Sequence, residues 1–137
     1  MSDKIIPTLK IQERIPAQPA LPFVQTLLLI SGSRVIGSAT WVAPDTEDGV
    51  IQILNIRIDP LHQRQGHGST LIRAVYEQAH KLFKALEIKP RRAWLAVEQK
   101  NHVNARAFLS RHGYHHVSSV KNVYRKQESL VYLRAFD

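Results

Sequence analysis

One stretch, Val50 to Phe83, restricts this chain more than any other. An apolar run rich in β-branched residues, Val50-Ile51-Gln52-Ile53-Leu54-Asn55-Ile56-Arg57-Ile58, ends at Asp59-Pro60 and passes through Leu61-His62-Gln63-Arg64-Gln65-Gly66-His67-Gly68. It then opens into an amphipathic helix expected from about Ser69 to Phe83. The first N–H groups of a helix have no internal acceptor, and the helix dipole puts partial positive charge there. A strand that delivers a glycine-bearing loop to such a helix start builds a seat for an anion. Glycines at 66 and 68 let a phosphate approach the backbone without meeting a Cβ. The spacing fits neither the dinucleotide fingerprint Gly-x-Gly-x-x-Gly/Ala nor the phosphate loop Gly-x-x-x-x-Gly-Lys-Ser/Thr, so both nucleotide readings fall away.

The surroundings of this stretch define the fold class. Leu71, Ile72, Val75, Ala79, Leu82, Phe83 and Leu86 recur at helical spacing, so one face of the helix packs on a sheet. Upstream, a short strand is expected within Lys4 to Ile15, and Pro16, Pro19 and Pro22 disfavour any helix before Phe23. Phe23 to Ile30 and Arg34 to Ala43, separated by Ser31-Gly32-Ser33, read as an antiparallel hairpin that continues into the Val50 strand. Downstream, Ala93 to Val97 is a buried-type strand that a right-handed crossover makes parallel to the Val50 strand. A second helix, capped by Asn101 or Asn104, stops at Gly113. Tyr114 to Arg125 and Leu130 to Phe136 alternate as two final strands joined by Lys126-Gln127-Glu128-Ser129. The expectation is an α+β domain with a mixed, mostly antiparallel sheet of about seven strands and a helix after the fourth and fifth.

With 137 residues, 44% hydrophobic and 22% charged, the chain suits one globular domain spanning residues 1–137. The absence of cysteine excludes disulfides and thiolate metal sites and suits a reducing compartment. No segment has the apolar length of a signal sequence or a membrane span, so a cytoplasmic protein is expected. The net charge of +8 favours polyanionic partners, among them coenzyme A, nucleic acid and acidic lipid.

Gln63-x-x-Gly66-x-Gly68 after Asp59-Pro60 resembles the Gln/Arg-x-x-Gly-x-Gly/Ala motif of the GNAT superfamily of N-acetyltransferases. Ala105 and Gly113-Tyr114 match that family's second signature in identity and spacing, with Arg106, Phe108, Arg111 and His112 also typical. The resemblance covers about Phe23 to Phe136 and the element order agrees with the family's. It implies a GNAT-like fold with reduced N-terminal helices, and acetyl-coenzyme A as co-substrate for direct acetyl transfer to a primary amine on a small molecule or a protein. It also implies a donor site in which Ile56, Arg57 and Ile58 hold the pantetheine, and Gln63, Arg64, Gln65, Gly66, His67, Gly68 and Ser69 hold the pyrophosphate. Asn101, beside the family's asparagine position, which falls on His102, is implied as a further cofactor-binding residue.

Departures from the family pattern bear on catalysis. Leu109 occupies the place of a tyrosine acid, and Gln52 the place of a glutamate base; neither side chain carries out proton transfer. A charged amine with a pKa near ~10.4 must lose a proton before attack, so a base or water chain is expected. Glu98 and His102, after the Ala93 strand, and Asn55, as a water-positioning group, are the catalytic candidates, with Tyr124 and Tyr132 as substitutes for the acid. The same departures support an alternative, a non-catalytic acyl-coenzyme A-binding regulatory module. Families of this type place two helices between their first two strands, and here that interval is the proline-bearing Pro16 to Pro22, which implies an open acceptor cleft or one completed by a second copy in a homodimer.

Two further readings are weaker. The basic stretch His112 to Lys126, with Tyr114 and Tyr124 interleaved, suggests nucleic-acid stacking, but no nucleic-acid motif accompanies it. His112, His115 and His116 lie close in sequence, yet strand alternation sends the last two to opposite faces, so no metal is expected.

Overall fold

The computed structural model describes residues 7–98, 102–122 and 127–136, with the backbone alone at His102, Asn122 and Gln127. The elements run β1 (Thr8–Ile11), β2 (Phe23–Ser31), β3 (Arg34–Ala43), β4 (Val50–Ile58), α1 (His67–Leu86), β5 (Arg92–Glu98), α2 (His102–Arg111), β6 (His115–Asn122) and β7 (Gln127–Ala135). They build one seven-stranded sheet in the order β1-β2-β3-β4-β5-β7-β6, in which β4 and β5 are the parallel pair and every other pair is antiparallel. This is the α+β, mostly antiparallel arrangement expected.

Strand alternation sorts the sheet into two unlike faces. Phe23, Gln25, Leu27 and Leu29 of β2 stand opposite Ala43, Trp41, Ala39 and Gly37 of β3, and directly opposed residues share a face. That face is the core, and the small residues at 37, 39 and 43 make room for α1 to press onto the strands. At Gly37 a Cβ would lie 2.9 Å from Ile58 Cδ1 and 3.3 Å from Leu71 Cδ1, so helix, β3 and β4 meet there with no spare volume. Trp41 is completely buried, and its Nε1 donates to Gln25 Oε1 at 2.9 Å. Gln25 Nε2 donates in turn to the Glu13 carbonyl at 2.6 Å. The segment between β1 and β2 is thereby fastened on the helix side of the sheet, where Ile15 and Leu21 also pack on the core.

The other face carries Val24, Thr26, Leu28, Thr40, Val42, Gln52 and Trp94, and no helix of the described residues covers it. Val24 is 46% exposed. The interval from Gln12 to Pro22 contains no helix, as the prolines dictate. No described helix is long and apolar enough to cross a membrane.

Several boundaries differ from the sequence expectation. The first strand contracts to Thr8–Ile11, its length of pairing with β2. α1 starts at His67 rather than Ser69 and continues to Leu86, because Gly66 takes the left-handed N-cap conformation (φ 82°) and Glu87 the left-handed C-cap (φ 57°). Asn104 lies inside α2, so it is no cap, and Asn101 falls outside the described residues. Gln127 to Ser129, expected as a turn from their polarity, belong to β7, paired with Asn122, Lys121 and Val120 of the β6 edge strand. A sheet-edge hairpin tolerates polar residues on both strands, so polarity there does not mark a loop.

Candidate functional site

The site begins with a slip in β4. Thr40 faces Asn55 but Trp41 faces Ile53, so Leu54 is an extra residue, a β-bulge that bends the strand. Its mark in the sequence is a change of phase: Ile51 and Ile53 point to the core, and so do Ile56 and Ile58, one residue out of step. Past the bulge β4 leaves its neighbour. Val50, Ile51 and Gln52 pair with Arg92, Ala93 and Trp94, and no pairing continues beyond them. Between Ile53–Ile58 and Leu95–Glu98 the two parallel strands part, which leaves one edge of β4 with main-chain donors and acceptors facing a gap.

The near end of the pair is held shut. Gly49 (φ 73°) accepts at its carbonyl from the Arg91 and Arg92 N–H groups at 2.8 and 3.3 Å. The far end of β4 is fixed by Asp59. Its N–H donates to Ile36 O at 2.8 Å, and its carboxylate accepts from Leu61 N–H at 3.1 Å and from Arg34 Nη2 at 2.9 Å. Gln63 Nε2 donates back to the Ile58 carbonyl at 3.2 Å. The loop therefore leaves the strand at a set angle, and left-handed residues at Arg64 (φ 63°) and Gly66 turn it into α1.

At the helix start the Thr70 N–H makes the first helical bond, to Gly66 O at 3.1 Å, so the N–H groups of His67, Gly68 and Ser69 have no intrahelical acceptor. No acidic residue occupies this first turn. A Cβ at Gly66 would have nothing within 4 Å, which leaves the backbone open to an incoming group. Gly68 differs from the expectation: a Cβ there would lie 3.1 Å from the Phe108 ring, so its bareness serves the contact of α1 with α2.

A polar network runs from this first turn into the helix junction. Ser69 Oγ and His112 Nε2 are 2.8 Å apart. His112 follows α2 directly, its ring 4.8 Å from that of Phe108, and its carbonyl accepts from Arg134 Nη1 at 2.8 Å. Deeper in, the Tyr76 and Tyr114 hydroxyls hydrogen-bond, and the Arg134 guanidinium lies 4.5 Å from the Tyr76 ring centre. Burial raises both phenols above the ordinary tyrosine range, so both stay neutral. No sequence signal pairs residues this far apart; the fold creates the contact.

Burial depresses the His112 pKa, and the nearby Arg73, Arg111 and Arg134 depress it further. In the unfolded chain a histidine binds its proton near pH ~6.5. Below that value and down to the lowered folded pKa, the unfolded state holds more protons, so this residue's contribution is intact above about pH 6.5 and is lost as the pH falls through that window. The unfolding midpoint of the wild type should therefore drop more between about pH 7 and pH 5 than that of His112→Gln, as thermal melts in matched buffers will show.

The catalytic candidates separate. Asn55 is exposed, opposite Thr40, just past the bulge. Glu98 ends β5 on the far side of the gap, half-buried and paired with Ser129. His102 is the first residue of α2, described by its backbone alone. Gln52 lies beside Trp94 on the open face. Leu109 is 3% exposed and fills the core, which explains an apolar residue at that place. Tyr132, a proposed acid, is 4% exposed on the core side with its ring against His116, so it does not reach the open face. Tyr124 lies outside the described residues. The nucleic-acid reading loses Tyr114, which is buried and unable to stack on a base. Among the described residues no three histidine or carboxylate side chains gather as metal ligands.

Residues 6–114 match the model of the acetyltransferase (GNAT) family. No curated protein matches the chain significantly in sequence. Among solved structures, a GNAT family acetyltransferase from Elizabethkingia anophelis with acetyl-CoA bound is similar at a TM-score of 0.71 and 13% identity, over 93% of this chain and 98% of that one. Naa50 from Arabidopsis thaliana, in complex with the bisubstrate analogue CoA-Ac-MVNAL, has a TM-score of 0.67 at 20% identity, over 81% and 72%. The ribosomal-protein-S18-alanine N-acetyltransferase of Escherichia coli has a TM-score of 0.64 at 17% identity, over 82% and 68%. At these identities the neighbours speak for the fold, and the family model, spanning most of the sequence, speaks for membership. With residues 6–114 matched by that model, the chain belongs to the GNAT family of acetyltransferases.

Proposed function

We propose that the protein transfers an acetyl group from acetyl-coenzyme A directly to a primary amine, and that the acceptor is a peptide or protein amine. The observation that carries the first part is the gap between β4 and β5 beside an unobstructed helix start. The free edge of β4 at Ile56, Arg57 and Ile58 offers strand-like hydrogen bonds to the pantetheine amides, and the N–H groups from Gln63 through Ser69 meet the diphosphate. A main-chain N–H in the Ile56 region polarises the thioester carbonyl, a donor that no side-chain substitution removes. Acetyl-coenzyme A supplies the activated acyl group: a C–N bond forms, the C–S bond breaks, and the thiol leaves. The amine proton departs by Glu98 or His102 at the β5 end of the gap, or through water held by Asn55, since Gln52 and Leu109 carry none.

The open sheet face supports the second part. No helix of the described residues walls off the side on which Gln52, Asn55 and Trp94 stand, so a chain with bulk behind its amine has room to approach. Two structural neighbours carry names of this kind, one bound to CoA-Ac-MVNAL and one named for an alanine of ribosomal protein S18. The alternative is a non-catalytic module that binds acyl-coenzyme A, favoured by Gln52 and Leu109.

Turnover of acetyl-coenzyme A with a panel of small amines, lysine peptides and peptide N-termini tests both. Expected is turnover with peptides above that with small amines, and a kcat about 10-fold or more below wild type in at least one of Glu98→Gln, His102→Ala and Asn55→Ala. Tight coenzyme A binding with no turnover on any acceptor would favour the regulatory module. Unchanged rates in all three variants would remove these residues from the mechanism.

A further inference from the structure

The bond between Ser69 and His112 joins residues 43 positions apart and lands on the first turn of α1, where the N–H groups lack acceptors. His112 is held on three sides. Its N–H donates to Leu109 O at 3.1 Å, its carbonyl accepts from Arg134, and its ring rests on Phe108, which in turn occupies the space left by Gly68. A side chain fixed this way sets the orientation of whatever it bonds. We propose that His112 is a positioning residue for the diphosphate of the acyl donor: its Nε2–H donates to Ser69 Oγ and leaves the Ser69 hydroxyl hydrogen to donate to a phosphate oxygen. The inference rests on the acyl-coenzyme A reading above.

The chemistry follows from the donor count. A serine hydroxyl has one hydrogen and accepts through its lone pairs, whereas a neutral imidazole donates from one nitrogen only. If Nε2 accepted from Ser69, that hydrogen would point inward and a lone pair would face the anion. With Nε2 as donor, the hydroxyl turns its hydrogen outward beside the N–H groups of His67, Gly68 and Ser69. The charged groups that face His112 are Arg73 on α1, Arg111 on α2 and Arg134 on β7. All are cations, so they favour the neutral ring and add to the positive potential in which the diphosphate would sit.

Coenzyme A affinity by calorimetry, and affinity for pantetheine, which has no diphosphate, by NMR titration, test the proposal without knowledge of the acceptor. His112→Leu and Ser69→Ala should each weaken coenzyme A binding about 10-fold, the loss of one charge-assisted hydrogen bond, and the double variant should be no weaker than the worse single one. His112→Gln, whose amide nitrogen reaches nearly as far as Nε2, should stay within about twofold of wild type. Pantetheine affinity should be the same in every variant. Should His112→Leu fail to fold, Ser69→Ala and His112→Gln decide. Coenzyme A affinity unchanged in Ser69→Ala, or equal losses for coenzyme A and pantetheine, would overturn the inference while leaving the acyl-coenzyme A reading intact. A wild type that binds neither ligand would overturn both.

Discussion

Trp41→Ala will lower the thermal unfolding midpoint by about 15 °C or more, because it removes about 3–5 kcal/mol of packing from the centre of the sheet. Trp41 has no exposed surface, contacts Phe23 with the rings tilted at 49° and 5.7 Å between ring centres, and stands on β3 where β2, β4 and α1 converge. The cavity is one part of the cost. The other is Gln25, also buried, whose Oε1 loses the Trp41 indole N–H while its Nε2 still reaches for Glu13. An unpaired buried amide costs about 1–3 kcal/mol more. Trp41→Phe strands the same group with a smaller cavity, and adding Gln25→Leu should recover some of the loss by removing the stranded group. If Trp41→Phe alone melts like wild type, the hydrogen bond contributes nothing and the loss in Trp41→Ala is packing alone. The consequence for function is indirect: the β-bulge that opens the donor gap lies in the partner strand next to Trp41, so loosening this point blurs the gap before the chain unfolds.

The largest effect on ligand binding is expected from Gly68→Val, about 100-fold weaker for coenzyme A, equivalent to losing two charge-assisted hydrogen bonds. The two glycines of the loop are bare for different reasons. At Gly66 the left-handed φ of 82° disfavours a side chain, but the space is free, so Gly66→Ala pays about 1 kcal/mol of strain and weakens binding only modestly. At Gly68 the φ is ordinary and the space is full: a Cβ meets Phe108 at 3.1 Å, and a branched side chain forces α2 away from the first turn of α1. That displacement breaks the Ser69–His112 bond and misaligns the N–H groups of the first turn to which we assign the diphosphate. Gly68→Ala needs only a few tenths of an ångström from the Phe108 ring and should bind within about tenfold of wild type. Calorimetric titration of the three variants gives the order. Gly66→Ala weaker than Gly68→Val would reverse the assignment.

These two positions mark how far the sequence can be read. β3 and β4 take the bounds expected of them, because β-branched runs closed by glycine or proline turns leave little choice of register. The apolar stripe of α1 also lies where its spacing puts it, from Leu71 to Phe83. What escaped depends on two elements meeting. Leu54 is apolar like Ile53 before it and Ile56 after it, so nothing in its own character marks the bulge, and only the phase of Ile51, Ile53, Ile56 and Ile58 betrays it. The contact that requires Gly68 to be bare is invisible in the loop alone, because Phe108 comes from another helix. The bond of Ser69 to His112 has no local pattern at all. The polar Gln127-Glu128-Ser129 resembles a turn in sequence because it opens β7 where that strand pairs with the edge strand β6, at the end of the sheet that needs no apolar face. The catalytic assignment is the least legible part, since the family positions at Gln52 and Leu109 hold residues that move no proton, and neither local pattern nor burial selects one replacement.

The central claim is that the parted edge of β4 and the start of α1 form one binding site for the acyl donor. Titration of isotope-labelled protein with coenzyme A, followed by amide NMR shifts, tests it most directly. The largest changes should fall on Gln63 to Ser69 and on Ile56 to Ile58, with β1 and β6 unmoved. Saturable binding whose largest shifts lie elsewhere, or no shift at millimolar coenzyme A, would contradict it.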